Sequence, residues 1–318
     1  MRRTVWKTYT ILLVWLCSLM TACDLHDHRD DCCESNVMTF RYLLGSVDCF
    51  ADYISTMRYF LFDGDGQFLM EMEAMEGNIS QVDLSSLNEG SYSIVGLGNL
   101  DDYASLSGHE TDGLHSFLLT VTDMYAGESA LANSKVFDGG DQIYWGQSDF
   151  SIVAGQSNTY RTEMSNVHCQ LTIRVEWEAV PPYGDGYSFS LDAVGSYMDM
   201  HGDRADTIGV HAFPMVTDRT SGMMEDVTMR NLALQTTLVF LRLDEDEEMP
   251  VFQLYHDGEE QIPDVDLGMV FEQWGWNPSV AQVQEYEMLI TIQIDGSIRI
   301  SDSLDSSLLD WADGGTIG

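Results

Sequence analysis

The chain has 318 residues, a formal net charge of −38, 44% hydrophobic residues and 21% charged ones. That apolar content can fill sizeable cores, and the length suits two domains of ordinary size. A surface this negative repels nucleic-acid phosphates and anionic lipid headgroups, so neither nucleic-acid binding nor charge-driven membrane attachment is expected.

Arg2, Arg3 and Lys7 open the chain, Ile11 to Met20 is almost wholly apolar, and Thr21-Ala22-Cys23 follows. Charged, apolar, then small is the layout of a secretory signal. The apolar run is about half the roughly 20 residues a membrane-spanning helix needs. Leu19 to Cys23 resembles the lipobox of bacterial lipoproteins, with Met20 where leucine is usual. The resemblance implies cleavage after Ala22 and a thioether-linked lipid on Cys23. Each buried methylene contributes about 0.8 kcal/mol, and two or more acyl chains give stable anchoring. Residues 1–22 are thus read as signal peptide, and their loss takes the net charge from −38 to −41, since they hold three basic residues and no acidic one.

Residues 23–36 read as an acidic lipid tether, with Asp24, Asp27, Asp30 and Asp31 and little to bury. Cys32, Cys33, Cys49 and Cys169 are the cysteines left after Cys17 departs with the signal and Cys23 takes lipid. Export permits disulfides, but four cysteines allow three pairings and the sequence does not choose among them or against free thiols.

Strand patterns begin at Val37–Tyr42. Met57–Phe62 is apolar, Asp63-Gly64-Asp65-Gly66 turns, and Phe68, Met70 and Met72 then alternate with polar neighbours, which predicts a β-hairpin. Ser91–Val95, Phe117–Val121, Ile143–Trp145 and Ser151–Val153 are further candidates. From Val167 to Trp177 alternation is strict, ending before Pro181-Pro182. Thr236–Leu243 and Val251–Tyr255 flank the acidic Asp244–Glu248, read as a solvated hairpin loop. Leu267–Gln273 is the one helical candidate, weakened by Gly268. Tyr286 to Ile294 alternates, Asp295-Gly296 turns, and Ile298–Ile300 returns. Strands with little helix predict an all-β chain of two β-sandwich domains in tandem, over 37–165 and 166–318.

Chemistry-bearing motifs are lacking. There is no Gly-x-Ser-x-Gly elbow and no His-Glu-x-x-His helix. Gly96-Leu97-Gly98-Asn99 lacks the third glycine of a dinucleotide loop. A calcium loop from Asp63 would need glycine and glutamate where Phe68 and Ala74 stand. His26, His28, Cys32 and Cys33 fit no zinc spacing. The reading is of a non-enzyme with no catalytic residue, cofactor or metal. Trp274-Gly275-Trp276-Asn277-Pro278 suits a turn that caps a core better than a sugar platform.

In order along the chain, the lipobox, Arg29-Asp30-Asp31-Cys32, Tyr59 to Phe68, Tyr92 to Asn99, Val167 to Trp177 and the closing hairpin with Trp311 resemble the fimbrillin-associated anchor and accessory proteins of Bacteroidetes-type (type V) fimbriae. The resemblance implies two transthyretin-like (Greek-key) sandwiches and a surface lipoprotein of the outer membrane at a fimbrial base. It also implies a neighbouring pilin joined by β-strand addition, with Cys23 as the one functional residue that carries over. Stalk or tip subunits of such fimbriae are the alternative within the family. They lose an N-terminal segment at a basic residue, for which Arg29, Arg41 and Arg58 are candidates. A glycan-capturing surface lipoprotein is the alternative outside it.

Overall fold

The computed structural model describes residues 35–100, 105–120, 135–136, 142–179, 181–182, 186–199, 204–212, 215–218, 232–243 and 248–302. The first sandwich comprises β1 (Asn36–Leu44), β2 (Val47–Asp48), the short α1 (Phe50–Tyr53), β3 (Met57–Asp63), β4 (Phe68–Met72), β5 (Gln81–Asp83) and β6 (Gly90–Gly98). After an insertion it resumes with β10 (Tyr144–Ile152) and β11 (Asn158–Asn166). Hydrogen-bonded order is β2-β1-β11-β10-β6-β3-β4, with β5 also on β1. Strands β10 and β11 pair only at Tyr144–Asn166 and Trp145–Ser165, so the sheet folds there into two layers. Met38, Phe40 and Tyr42 of β1 meet Tyr59, Leu61, Ile94, Tyr144 and Phe150 between the layers. Strand β1 alternates buried and half-buried residues, as one wet face requires.

In β3 the four residues Tyr59 to Phe62 are all fully buried. The reason is the insertion: β7 (Ser105–Ser107), α2 (His109–Asp112), a 3-10 turn at Leu114–Ser116, β8 (Leu118–Thr120) and β9 (Lys135–Val136). Phe117, 1% exposed, lies on the outer face of the β3–β6–β10 layer. Its ring is 5.4 Å from Phe60, 6.1 Å from Phe62 and 5.3 Å from Trp145. Beyond this cover the same outer face turns polar, as Ser91, Ser93, Asp149 and Ser151.

The second sandwich follows with β12 (His168–Trp177), β13 (Tyr187–Asp199), β14 (Arg204–Ala212), β15 (Met215–Asp218), β16 (Leu232–Leu241), β17 (Val251–His256), β18 (Glu259–Glu260) and β19 (Val265–Asp266). Then come α3 (Leu267–Trp274), β20 (Glu285–Ile292) and β21 (Ile298–Ser301). One sheet runs β15-β16-β12-β20-β21 and the other β18-β17-β13-β14-β9. Cys169, Leu171, Ile173 and Val175 are fully buried along β12, as strict alternation predicts. The expected hairpin across Asp244–Glu248 is not formed. Strands β16 and β17 pair with β12 and β13 in different sheets, not with each other. Strand β8 pairs with β13 and β9 with β14, although both precede residue 165. The insertion therefore straps the first sandwich to the second.

Helix α3 starts where the Asp266 carboxylate accepts from the N–H groups of Gly268 and Met269, and it ends at Gly275 in the left-handed region. The Asp63-Gly64-Asp65-Gly66 segment is the predicted β3–β4 turn, with the Asp63 carboxylate accepting from the N–H groups of Asp65 and Gln67.

Candidate functional site

Cys23, His26, His28, Cys32 and Cys33 lie outside the described residues. Cys49 is half-buried and Cys169 is buried. No group of three or more His, Cys, Asp or Glu that could hold a metal occurs among the described residues. No described helix is long and apolar enough to cross a membrane. Trp274 and Trp276 are half-buried, with Trp276 4.6 Å from Tyr286 and 5.1 Å from Phe271, so they pack onto the core rather than forming an open platform.

The chain enters the first sandwich at one pole. Ser35 N donates to Ser157 Oγ at 3.0 Å and its carbonyl accepts from Asn158 N at 3.1 Å. Asn36 N donates to Ser85 Oγ and its carbonyl accepts from Leu84 N. Whatever precedes Ser35 thus departs from a pole built by the β5–β6 and β10–β11 loops.

The other pole meets the second sandwich with almost no linker, since β11 ends at Asn166 and β12 starts at His168. Arg242 crosses this junction, donating to Asn166 Oδ1 at 3.0 Å and to the carbonyls of Ala281 and Pro278 at 2.7 and 3.1 Å. Gln284 caps Leu243 in both directions, at 2.9 and 3.0 Å. Just past β1, Gly45 N donates to Gln282 Oε1 at 3.1 Å. A cavity of about 430 Å³ beside these contacts is lined by Tyr42, Gly45, Glu163, Arg242, Ala281 and Gln282, among others. His168 is 2% exposed and its Nδ1 lies 3.0 Å from the Ile143 carbonyl. Burial pushes its imidazole down to about 4, opposed by that bond and assisted by Arg242. Burial also pushes the Tyr42 hydroxyl up to about 12.

Sequence reasoning missed Arg242 and Gln284. The available signal was a rare basic residue ending an apolar run, in a chain with 14 basic residues against 52 acidic. Of the basic residues singled out as cut sites, Arg41 lies in β1 paired with Asp48 at 2.9 Å, and Arg58 in β3 paired with Glu71 at 2.7 Å. Arg29 lies outside the described residues.

Strand β4 is a sheet edge in the described residues. It carries the exposed apolar Leu69 and Met70, with a bulge between Leu61 and Phe62 of its partner register.

The sequence model of the fimbrillin-A associated anchor proteins Mfa1 and Mfa2 matches residues 29–303. No curated protein sequence matches. Among solved structures, a candidate adhesin from Bacteroides ovatus is 14% identical with a TM-score of 0.67, covering 88% of this chain and 96% of that one. Candidate polysaccharide-binding proteins from Bacteroides thetaiotaomicron give 12% and 0.60, with coverages of 85% and 98%. The fimbrial anchor protein Mfa2 from Porphyromonas gingivalis gives 12% and 0.57, with coverages of 84% and 96%. Identities this low speak for the fold alone. The family model spans most of the chain, both sandwiches included, and the chain belongs to the family of fimbrillin-A associated anchor proteins.

Proposed function

We propose that this protein is the lipid-anchored base, or an accessory subunit, of a type V fimbria, non-catalytic and displayed on the outer membrane. The observation that carries the reading is the family match from residue 29 to 303, directly behind the segment read as a signal peptide and lipobox ending at Cys23. Acyl chains on Cys23 supply the attachment that a −41 surface does not. A neighbouring subunit joins by adding a strand to a free sheet edge, which satisfies otherwise unpaired backbone groups. Strand β4 suits that role through its exposed Leu69 and Met70.

The test compares wild type with Cys23→Ala in the native host, measuring fimbrial antigen on cells and in the medium. Fibres that form but are shed, or that grow longer and looser, support the anchor. Unchanged fimbriae with this protein alone released overturn it and favour a glycan-binding lipoprotein.

A further inference from the structure

We infer that β1 and β11 form a mechanical clamp, in which a pull between the lipid and the second sandwich loads their whole hydrogen-bond ladder at once. The inference rests on the anchor reading for its purpose, and on the strand geometry for its physics.

The two strands that carry the pull are the first and last of their sandwich. They are parallel neighbours, in register from Asn36–Asn158 to Tyr42–Met164. Seven residue pairs separate the end where the chain enters from the end where it leaves. Force from the N-terminal side reaches β1 at Ser35. Along the backbone, force from the second sandwich reaches β11 at Asn166, through Val167 and His168. Because the strands are parallel, these points are at opposite ends of the pair. Pulling them apart slides one strand along the other.

The direction of force also coincides with the strand axis. Ser35 is held at the pole formed by Ser157 and Asn158. At the far end, Gly45 contacts Gln282 and Asn166 contacts Arg242, both within or against the second sandwich. The covalent joint to the second sandwich therefore lies beyond the C-terminal ends of β1 and β11. A strand rises about 3.3 Å per residue, so β1 spans roughly 26 Å of the line between the two poles. Strand β5 grips the other edge of β1 over Thr39–Gln81, Met38–Val82 and Val37–Asp83, and it resists the same sliding.

Sliding and peeling differ in what must break together. Rungs of a parallel ladder are evenly spaced, so an axial load is shared and no rung fails ahead of the rest. A load at adjacent ends of two strands opens them one rung at a time. Resistance to force is governed by the unfolding barrier rather than by equilibrium stability. The parallel first-to-last pairing thus raises strength without requiring a larger core. The burial of Met38, Phe40 and Tyr42 between the layers adds side-chain interlock to the same strand.

The test is single-molecule force spectroscopy on the mature chain in two geometries. One pulls between the N-terminus and the C-terminus. The other pulls between the N-terminus and a biotin-acceptor tag inserted after Ser86, an exposed residue just past β5. In the second geometry β1 and β5 are antiparallel and are pulled from adjacent ends, because Leu84 N bonds the Asn36 carbonyl. The expected result is a several-fold higher force for releasing β1 in the first geometry at equal loading rate. Equal forces, or a lower force in the first geometry, overturn the clamp. Either result leaves the anchor reading to its own test with Cys23→Ala, so the two fail separately.

Discussion

His168 is a titratable group placed where the two sandwiches meet, with its ring against Tyr144 at 5.3 Å and its Nδ1 on the Ile143 carbonyl. Its folded value, about 4, lies below the ordinary 6.5 because burial disfavours the imidazolium. The unfolded chain therefore binds the extra proton between pH 6.5 and about 4. Stability is present above 6.5 and is lost as pH falls through that window. At about 1.4 kcal/mol per pH unit, the loss approaches roughly 3 kcal/mol. Acid also relieves the self-repulsion of so negative a chain, which acts in the opposite direction. Denaturant titrations of wild type and His168→Gln at pH 7.5 and 4.5 isolate the histidine. The variant is expected to lose about 3 kcal/mol less over that interval, and parallel losses would assign the acid response to other groups. The sequence placed His168 on the polar face of an alternating strand. It carried no sign that the Ile143 segment packs over that face and buries the ring.

Elements whose pattern was local were legible, and those set by distant cover were not. The Asp63–Gly66 and Asp295-Gly296 turns and strand β12 follow from neighbours in sequence. Helix α3 was legible too, and its capping Asp266 offsets the weakness of Gly268. By contrast, β13 has no clean alternation: Tyr187 to Leu191 are all buried, with β14 on one edge and β17 on the other. The connection from β16 to β17 read as a hairpin because an acidic loop between two apolar runs looks the same whether the strands pair with each other or lie in different sheets. Of the candidate site, the sequence offered only the proposed signal and Cys23, which lie outside the described residues. Edges are properties of the assembled sheet, so β4 emerges only once β3 has chosen β6 as its other neighbour. At β4 the double substitution Leu69→Lys and Met70→Lys places charge on the edge. Both side chains are exposed, 42% and 48%, so the fold should be nearly unaffected, within about 0.5 kcal/mol. Co-purification with fimbrial subunits is expected to fall, and undiminished capture would move the joining edge elsewhere.

At the scale of the whole molecule, the strap changes what two domains in tandem means. Residues 105–136 lie between β6 and β10 of the first sandwich in sequence, yet β8 and β9 complete a sheet of the second. One continuous apolar cluster runs from Phe60, Phe62 and Val95 through Leu114, Phe117 and Leu119 to Cys169, Phe189 and Leu254. Leu114 N also donates to the Gly66 carbonyl at 2.7 Å, and a side chain at Gly113 would collide with that same oxygen. With the covalent joint at Asn166–His168, the sandwiches are held at two places, which resists swivelling under a lateral pull. Phe117 is where this can be cut. Truncating a fully buried phenylalanine costs about 3–5 kcal/mol, here charged to contacts that seat the strap on the first sandwich. Calorimetry of wild type should give one cooperative transition, with calorimetric and van't Hoff enthalpies in agreement. Phe117→Ala should lower the melting temperature and separate the transition into two, because the first sandwich keeps its own core between β1 and β3 while the strap loses its seat on that sandwich. A single shifted transition in the variant would mean that the junction at Arg242 and Gln284 suffices to couple the halves. Two transitions already present in wild type would mean that the strap does not couple them.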